Sequence, residues 1–107
     1  YDPRITILYL ADNNLNGSIP FEISQLNFLQ RLIMTSNSIS GQIPTTIRSL
    51  SNLIDLDLEK NQMTGTLIDE IFDVKSLQFL RLSFNEFSGP ISSKIGDLVN
   101  LRCLWLT

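Results

Sequence analysis

The sequence predicts an α/β solenoid: a right-handed coil with a parallel sheet along its concave face, and turns with short 3-10 or helical segments elsewhere. Three observations predict it. Glycines recur at Gly17, Gly41, Gly65 and Gly89, 24 residues apart each time. Asparagines recur in the same frame at Asn13, Asn37, Asn61 and Asn85. Apolar residues fill further columns of that frame with no insertion or deletion along the chain. A fixed period of this length is the signature of stacked coils, each of which contacts only its neighbours.

Each element of the unit follows in chain order. A unit opens on Ile5, Leu29, Leu53, Leu77 or Leu101. Three residues on come Leu8, Leu32, Leu56, Leu80 and Leu104, and two further on Leu10, Met34, Leu58, Leu82 and Leu106. Spacing of two puts the last two columns on one face of a strand, with the intervening side chains on the other. A single unit is too small to bury its own leucines, so strands stack in parallel about 4.8 Å apart and neighbouring coils complete the core. The asparagine follows where the chain leaves the strand. Its amide both donates and accepts, so Asn13, Asn37, Asn61 and Asn85 read as structural, bonding main-chain groups inside the coil. The glycine column then supplies a turn or a close backbone approach that a Cβ would hinder. Ile19, Ile43, Leu67 and Ile91, then Ile23, Ile47, Ile71 and Ile95, and finally Leu26, Leu50, Val74 and Leu98 return the chain to the core.

Composition removes several functions. The chain has 107 residues, 43% of them apolar, enough for one packed domain. It has no histidine, which removes His-dependent triads, His-metal sites and His general bases. Its one cysteine, Cys103, forms neither an internal disulfide nor a cysteine zinc site. Eight basic residues against eleven acidic ones, net charge -3, with no basic run, argue against nucleic acid as partner. No apolar run reaches the roughly 18 residues of a membrane-spanning helix. A binding or scaffolding role is therefore expected rather than catalysis, with no cofactor and no metal.

The pattern L-x-x-L-x-L-x-x-N-x-L-x-G-x-I-P-x-x-I-x-x-L resembles the leucine-rich repeat in its plant-type, 24-residue form, over essentially the whole chain. The resemblance divides the chain into units 5–28, 29–52, 53–76 and 77–100 and a partial unit 101–107. Residues 1–4, with Asp2-Pro3-Arg4, look like the junction with an N-terminal cap. Pro20 and Pro44 match the Ile-Pro step, whereas Ile68 and Ser92 replace the proline, so a less regular convex side is expected in the third and fourth units. Neither end carries a capping unit, so the chain reads as a stretch of a longer array. The alternative is a structural unit whose open ends stack on other copies into a larger assembly or filament.

The resemblance implies an extracellular or cell-surface, receptor-like recognition module that holds a protein, peptide or glycan on its concave face. A cytoplasmic regulatory array is the other location open to such repeats. The sequon Asn16-Gly17-Ser18 offers a glycosylation site at Asn16. On the concave face the variable columns are Ile7, Arg31, Asp55, Phe79, Cys103, then Tyr9, Ile33, Asp57, Arg81, Trp105, then Ala11, Thr35, Glu59, Ser83, Thr107, then Asp12, Ser36, Lys60, Phe84. Tyr9, Ile7 and Ile33 form an apolar corner; Phe79, Phe84 and Trp105 form an aromatic group; Asp55, Asp57 and Glu59 lie between. Aromatics with interspersed arginine are the composition of binding hot spots, which makes Tyr9, Ile33, Asp55, Asp57, Phe79, Arg81, Phe84 and Trp105 the candidate ligand contacts. The inert alternative is lateral pairing of Arg31 with Asp55 and of Asp57 with Arg81, and an Arg81–Trp105 cation–π contact. Three carboxylates are too few for a calcium site, and an open sheet is expected to keep Asp55 and Asp57 wet and unsuited to acid–base chemistry.

Overall fold

The computed structural model describes residues 4–106. Two parallel sheets run the length of the coil. The first joins β1 (Ile7–Tyr9), β3 (Arg31–Ile33), β5 (Asp55–Asp57), β7 (Phe79–Arg81) and β9 (Cys103–Trp105) in that order and lines the concave face. The second joins β2 (Asn16–Gly17), β4 (Ser38–Gly41), β6 (Gln62–Thr66) and β8 (Glu86–Ser88). Pairing in the first sheet is in register one unit apart, as in Leu8–Leu32 and Leu32–Leu56, so every column of the sequence becomes a column in space.

The core lies between the sheets and the convex side. Leu32, Leu56 and Leu80 are fully buried, and Ile39, Met63, Ile47 and Ile71 close the opposite wall. The convex side carries four 3₁₀ segments, Phe21–Gln25, Thr45–Ser49, Asp69–Asp73 and Ser93–Asp97. Contrary to the expectation from the missing prolines, the third and fourth are as regular as the first two. Ile68 enters at φ -72°, ψ 149°, the same values as Pro20, and Ser92 at φ -62°, ψ 143° beside Pro44 at φ -67°, ψ 144°. Stacking of each 3₁₀ segment on its neighbour fixes the dihedrals that proline would otherwise preset. At Ser92 the hydroxyl also accepts from the Lys94 amide at 3.1 Å, a local bond that proline does not supply.

The asparagine ladder ties each coil to the one before. Asn61 Nδ2 donates to the carbonyls of Leu58 and Glu59 in its own coil and of Met34 in the preceding coil, while its Oδ1 accepts from Ile39 N–H at 3.0 Å. Asn37 and Asn85 repeat the arrangement. Asn13 is exposed and its amide reaches only its own coil, at Ala11 O. Gly17 and Gly65 sit at φ +84° and +80°, the left-handed region that glycine enters without the Cβ penalty. Gly17 has open space where a Cβ would point, so backbone conformation alone requires it there.

Candidate binding face

The concave strands are three residues long, and their middle residue is the core leucine, so the first and third residues of each project onto the open face. The parallel register sets Arg31, Asp55, Phe79 and Cys103 in one row and Ile33, Asp57, Arg81 and Trp105 in the next. Phe79 and Arg81 share a face of β7, and Arg81 lies over the Phe79 ring at 5.2 Å and the Trp105 ring at 5.7 Å from the centroids. Its Nη1 faces Asp57 Oδ2 at 3.7 Å and Asp55 Oδ2 at 3.9 Å.

This geometry corrects two expectations. Asp55 and Asp57 are not wet: each is only 7% exposed, covered by the arginine and the neighbouring rings. Nor does Arg31 pair with Asp55. Although the two are lateral neighbours, Arg31 is exposed and makes no ion pair among the described residues, and Arg81 takes both carboxylates, one directly across and one on the diagonal. Diagonal neighbours in a sheet stand about 7–8 Å apart in backbone, within reach of an arginine, so the Asp55–Arg81 contact was available from the row assignments.

The remaining candidates divide into two hollows. Ile7, Tyr9 and Ile33 line one of about 360 Å³ together with Arg31, Asp57 and Arg81. Phe84 and Trp105 line another of about 500 Å³ with Glu59, Lys60 and Ser83. Phe84 stands at φ +60°, as do Asp12, Ser36 and Lys60 within a few degrees at the same place in their coils. A left-handed conformation is unfavourable for a bulky side chain by roughly 1–2 kcal/mol, yet Phe84 keeps its ring exposed there. Cys103 is a free, half-buried thiol at the edge of the face. Asn16 is exposed on β2, in the other sheet. Thr107, Asp2 and Pro3 lie outside the described residues. Among the described residues no three acidic or cysteine side chains converge to hold a metal ion, and no helix is long and apolar enough to cross a membrane.

The Asp55 carboxyl is pushed above its ordinary value of 3.8, first by burial; Arg81 opposes this, Asp57 adds to it and Arg31 opposes it weakly. The folded chain thus holds this proton more tightly than the unfolded chain. Stability falls as pH rises from 3.8 through the raised value, and above that window the buried charge is a constant penalty. Asp55→Asn, which keeps the shape without the charge, is expected to unfold at a higher temperature than the parent at pH 7. The gap should close at about pH 3, where Asp55 is itself neutral. Thermal melts of both chains across that range test this; an Asn variant less stable at pH 7 contradicts it.

The sequence profile of the leucine rich repeat family matches residues 27–87, and a second leucine rich repeat profile matches residues 4–26. No curated protein matches the chain. Among solved structures, it is similar to a chain in the BIR3–SERK2 complex from Arabidopsis thaliana, at 37% identity and TM-score 0.92 over 96% of this chain and 56% of that one. It is similar to the plant peptide hormone receptor RGFR1 in complex with RGF2, at 38% identity and TM-score 0.90 over 92% of this chain and 16% of that one. It is also similar to a plant ice-binding protein, at 32% identity and TM-score 0.88 over 92% of this chain and 33% of that one. The chain therefore spans little more than half of the first of these and much less of the other two. From the columns, the two parallel sheets and the matched profiles, the chain belongs to the leucine-rich repeat family, in its plant-type form with coils of 24 residues.

Proposed function

We propose that the chain is a non-catalytic recognition module of an extracellular or cell-surface protein, and that its concave face binds a peptide or a protein segment. The coil alone does not fix a ligand, since the same coil occurs in a peptide hormone receptor and in an ice-binding protein. The side chains on the face carry the reading. The single observation that supports it best is the set of exposed rings on the concave side, Tyr9 at 69%, Phe84 at 63% and Trp105 at 53%, around an arginine already stacked in place. Exposed aromatics beside a pre-oriented arginine are what peptide-binding hot spots are made of. The face is also long enough for an extended peptide to cross the five strands.

The test is a displayed library of random peptides selected on the chain. Peptides that bind the parent are expected to lose on the order of thirtyfold in affinity on Tyr9→Ala or Trp105→Ala, the effect of removing a hot-spot ring. Melting temperatures should barely move, because both rings are outside the core. Affinity unchanged in both variants moves the site to another surface.

A further inference from the structure

The concave cluster is unbalanced. Two carboxylates, each only 7% exposed, share one guanidinium at 3.7 and 3.9 Å, and no direct hydrogen bond joins them. Asp57 Oδ1 accepts from the Glu59 amide at 3.1 Å, while its Oδ2 has only the long contact to Arg81. Asp55 Oδ1 and Arg81 Nε are buried with no hydrogen-bond partner among the described residues. Unpartnered buried polar atoms are uncommon in folded proteins because each has lost its water without replacement, and an incoming polar group is one thing that completes them. A charge imbalance points the same way. The concave face carries Asp12, Asp55, Asp57 and Glu59 against Arg31, Lys60 and Arg81, one negative charge in excess.

Resting on the reading of this face as a peptide site, we propose that Asp55 and Asp57 receive a cationic group of the bound peptide, an ammonium or a guanidinium. The cation enters at Asp57 from the hollow lined by Asp12, Arg31, Asp57 and Arg81 together with Tyr9 and Ile33, and adds a second positive charge to the two carboxylates that share Arg81. Arg81 also lies over the rings of Phe79 and Trp105, which keep it in place when its carboxylate partners take a second cation. The apolar shelf of Ile7, Tyr9 and Ile33 lies beside the entry and suits an apolar residue next to the charged one.

Trp105 is the only tryptophan in the chain and stands next to Arg81, so its fluorescence reports on the site directly. The probes are the blocked tripeptides acetyl-Leu-Arg-Leu-amide and acetyl-Leu-Lys-Leu-amide, their citrulline counterpart, which keeps the length of arginine without its charge, and unblocked Leu-Leu-amide, whose only cation is its terminal amine. Binding of the arginine or lysine probe, or of the terminal amine, on the order of tenfold tighter than the citrulline probe is expected, and the difference should vanish in Asp57→Asn and in Asp55→Asn. The rank of the three cations separates a side-chain source from a peptide terminus. Equal binding of charged and neutral probes overturns the proposal, as does a preference that survives both Asn variants, or no binding of any probe. Where charged and neutral probes bind equally and Tyr9→Ala weakens both, the concave face stands and only the cation assignment falls. Where Tyr9→Ala and Trp105→Ala change neither, the reading of the face falls with it.

Discussion

Asn61→Ala is expected to lower the unfolding free energy by about 2–3 kcal/mol, a large effect for a polar substitution. The side chain is 8% exposed and makes four bonds, three donated by Nδ2 and one accepted by Oδ1, that join two coils. Alanine removes all four bonds; the carbonyls of Met34 and Leu58 keep the bonds they accept from Asn37 and Asn85, whereas the Ile39 amide loses the acceptor that Oδ1 supplies. That orphaned amide carries a desolvation penalty of roughly 1–3 kcal/mol, reduced where water can enter the space the side chain vacates. Asn13→Ala is the control within the same column. Asn13 is exposed and donates a single side-chain bond among the described residues, to Ala11 O, so its loss should cost only about 1 kcal/mol. Urea unfolding of the two variants should give clearly different midpoints. Equal midpoints would show that the buried amide is not what holds adjacent coils together.

Phe72→Ala is expected to lower stability by about 3–5 kcal/mol. Phe72 is fully buried, the largest of the fully buried side chains, and belongs to the single core cluster. The other coils have Ser24, Arg48 and Gly96 at its place, so its ring fills space that no other coil fills in the same way. Because a repeat array is held together coil by coil, a cavity in the third coil weakens its contacts with both neighbours. Folded domains are stable by only about 5–15 kcal/mol in total, so this one substitution should leave a marginal protein. Urea titration followed by circular dichroism measures it; a loss below about 1 kcal/mol would mean that the neighbouring coils collapse into the space.

The fold was legible because its information is redundant. Leu8, Leu32, Leu56 and Leu80 each repeat the same instruction, and register follows once the frame of 24 is found. The rows of the concave face were legible for the same reason. What periodicity does not encode is anything that happens once. Phe72 breaks its column, so column reading passes over it. The burial of Asp55 and Asp57 depends on which way one long side chain leans, and Arg81 had two partners within reach, one lateral and one diagonal. The rows set those residues side by side without choosing between those contacts. Likewise, the loss of proline at Ile68 and Ser92 looked like a loss of order, because proline's preset φ is a local property while the stacking that replaces it is not.

The solitary buried ring at Phe72 has one more consequence. When a nascent chain threads its strands together, a slip by one whole coil still matches leucine to leucine and amide to amide, so the columns by themselves do not penalise a misplaced frame. Phe72 does, because a coil shifted to its position would present serine, arginine or glycine to a space shaped for phenylalanine. An irregular residue thus gives the third coil a fit that the side chains of its fellows at that place do not share.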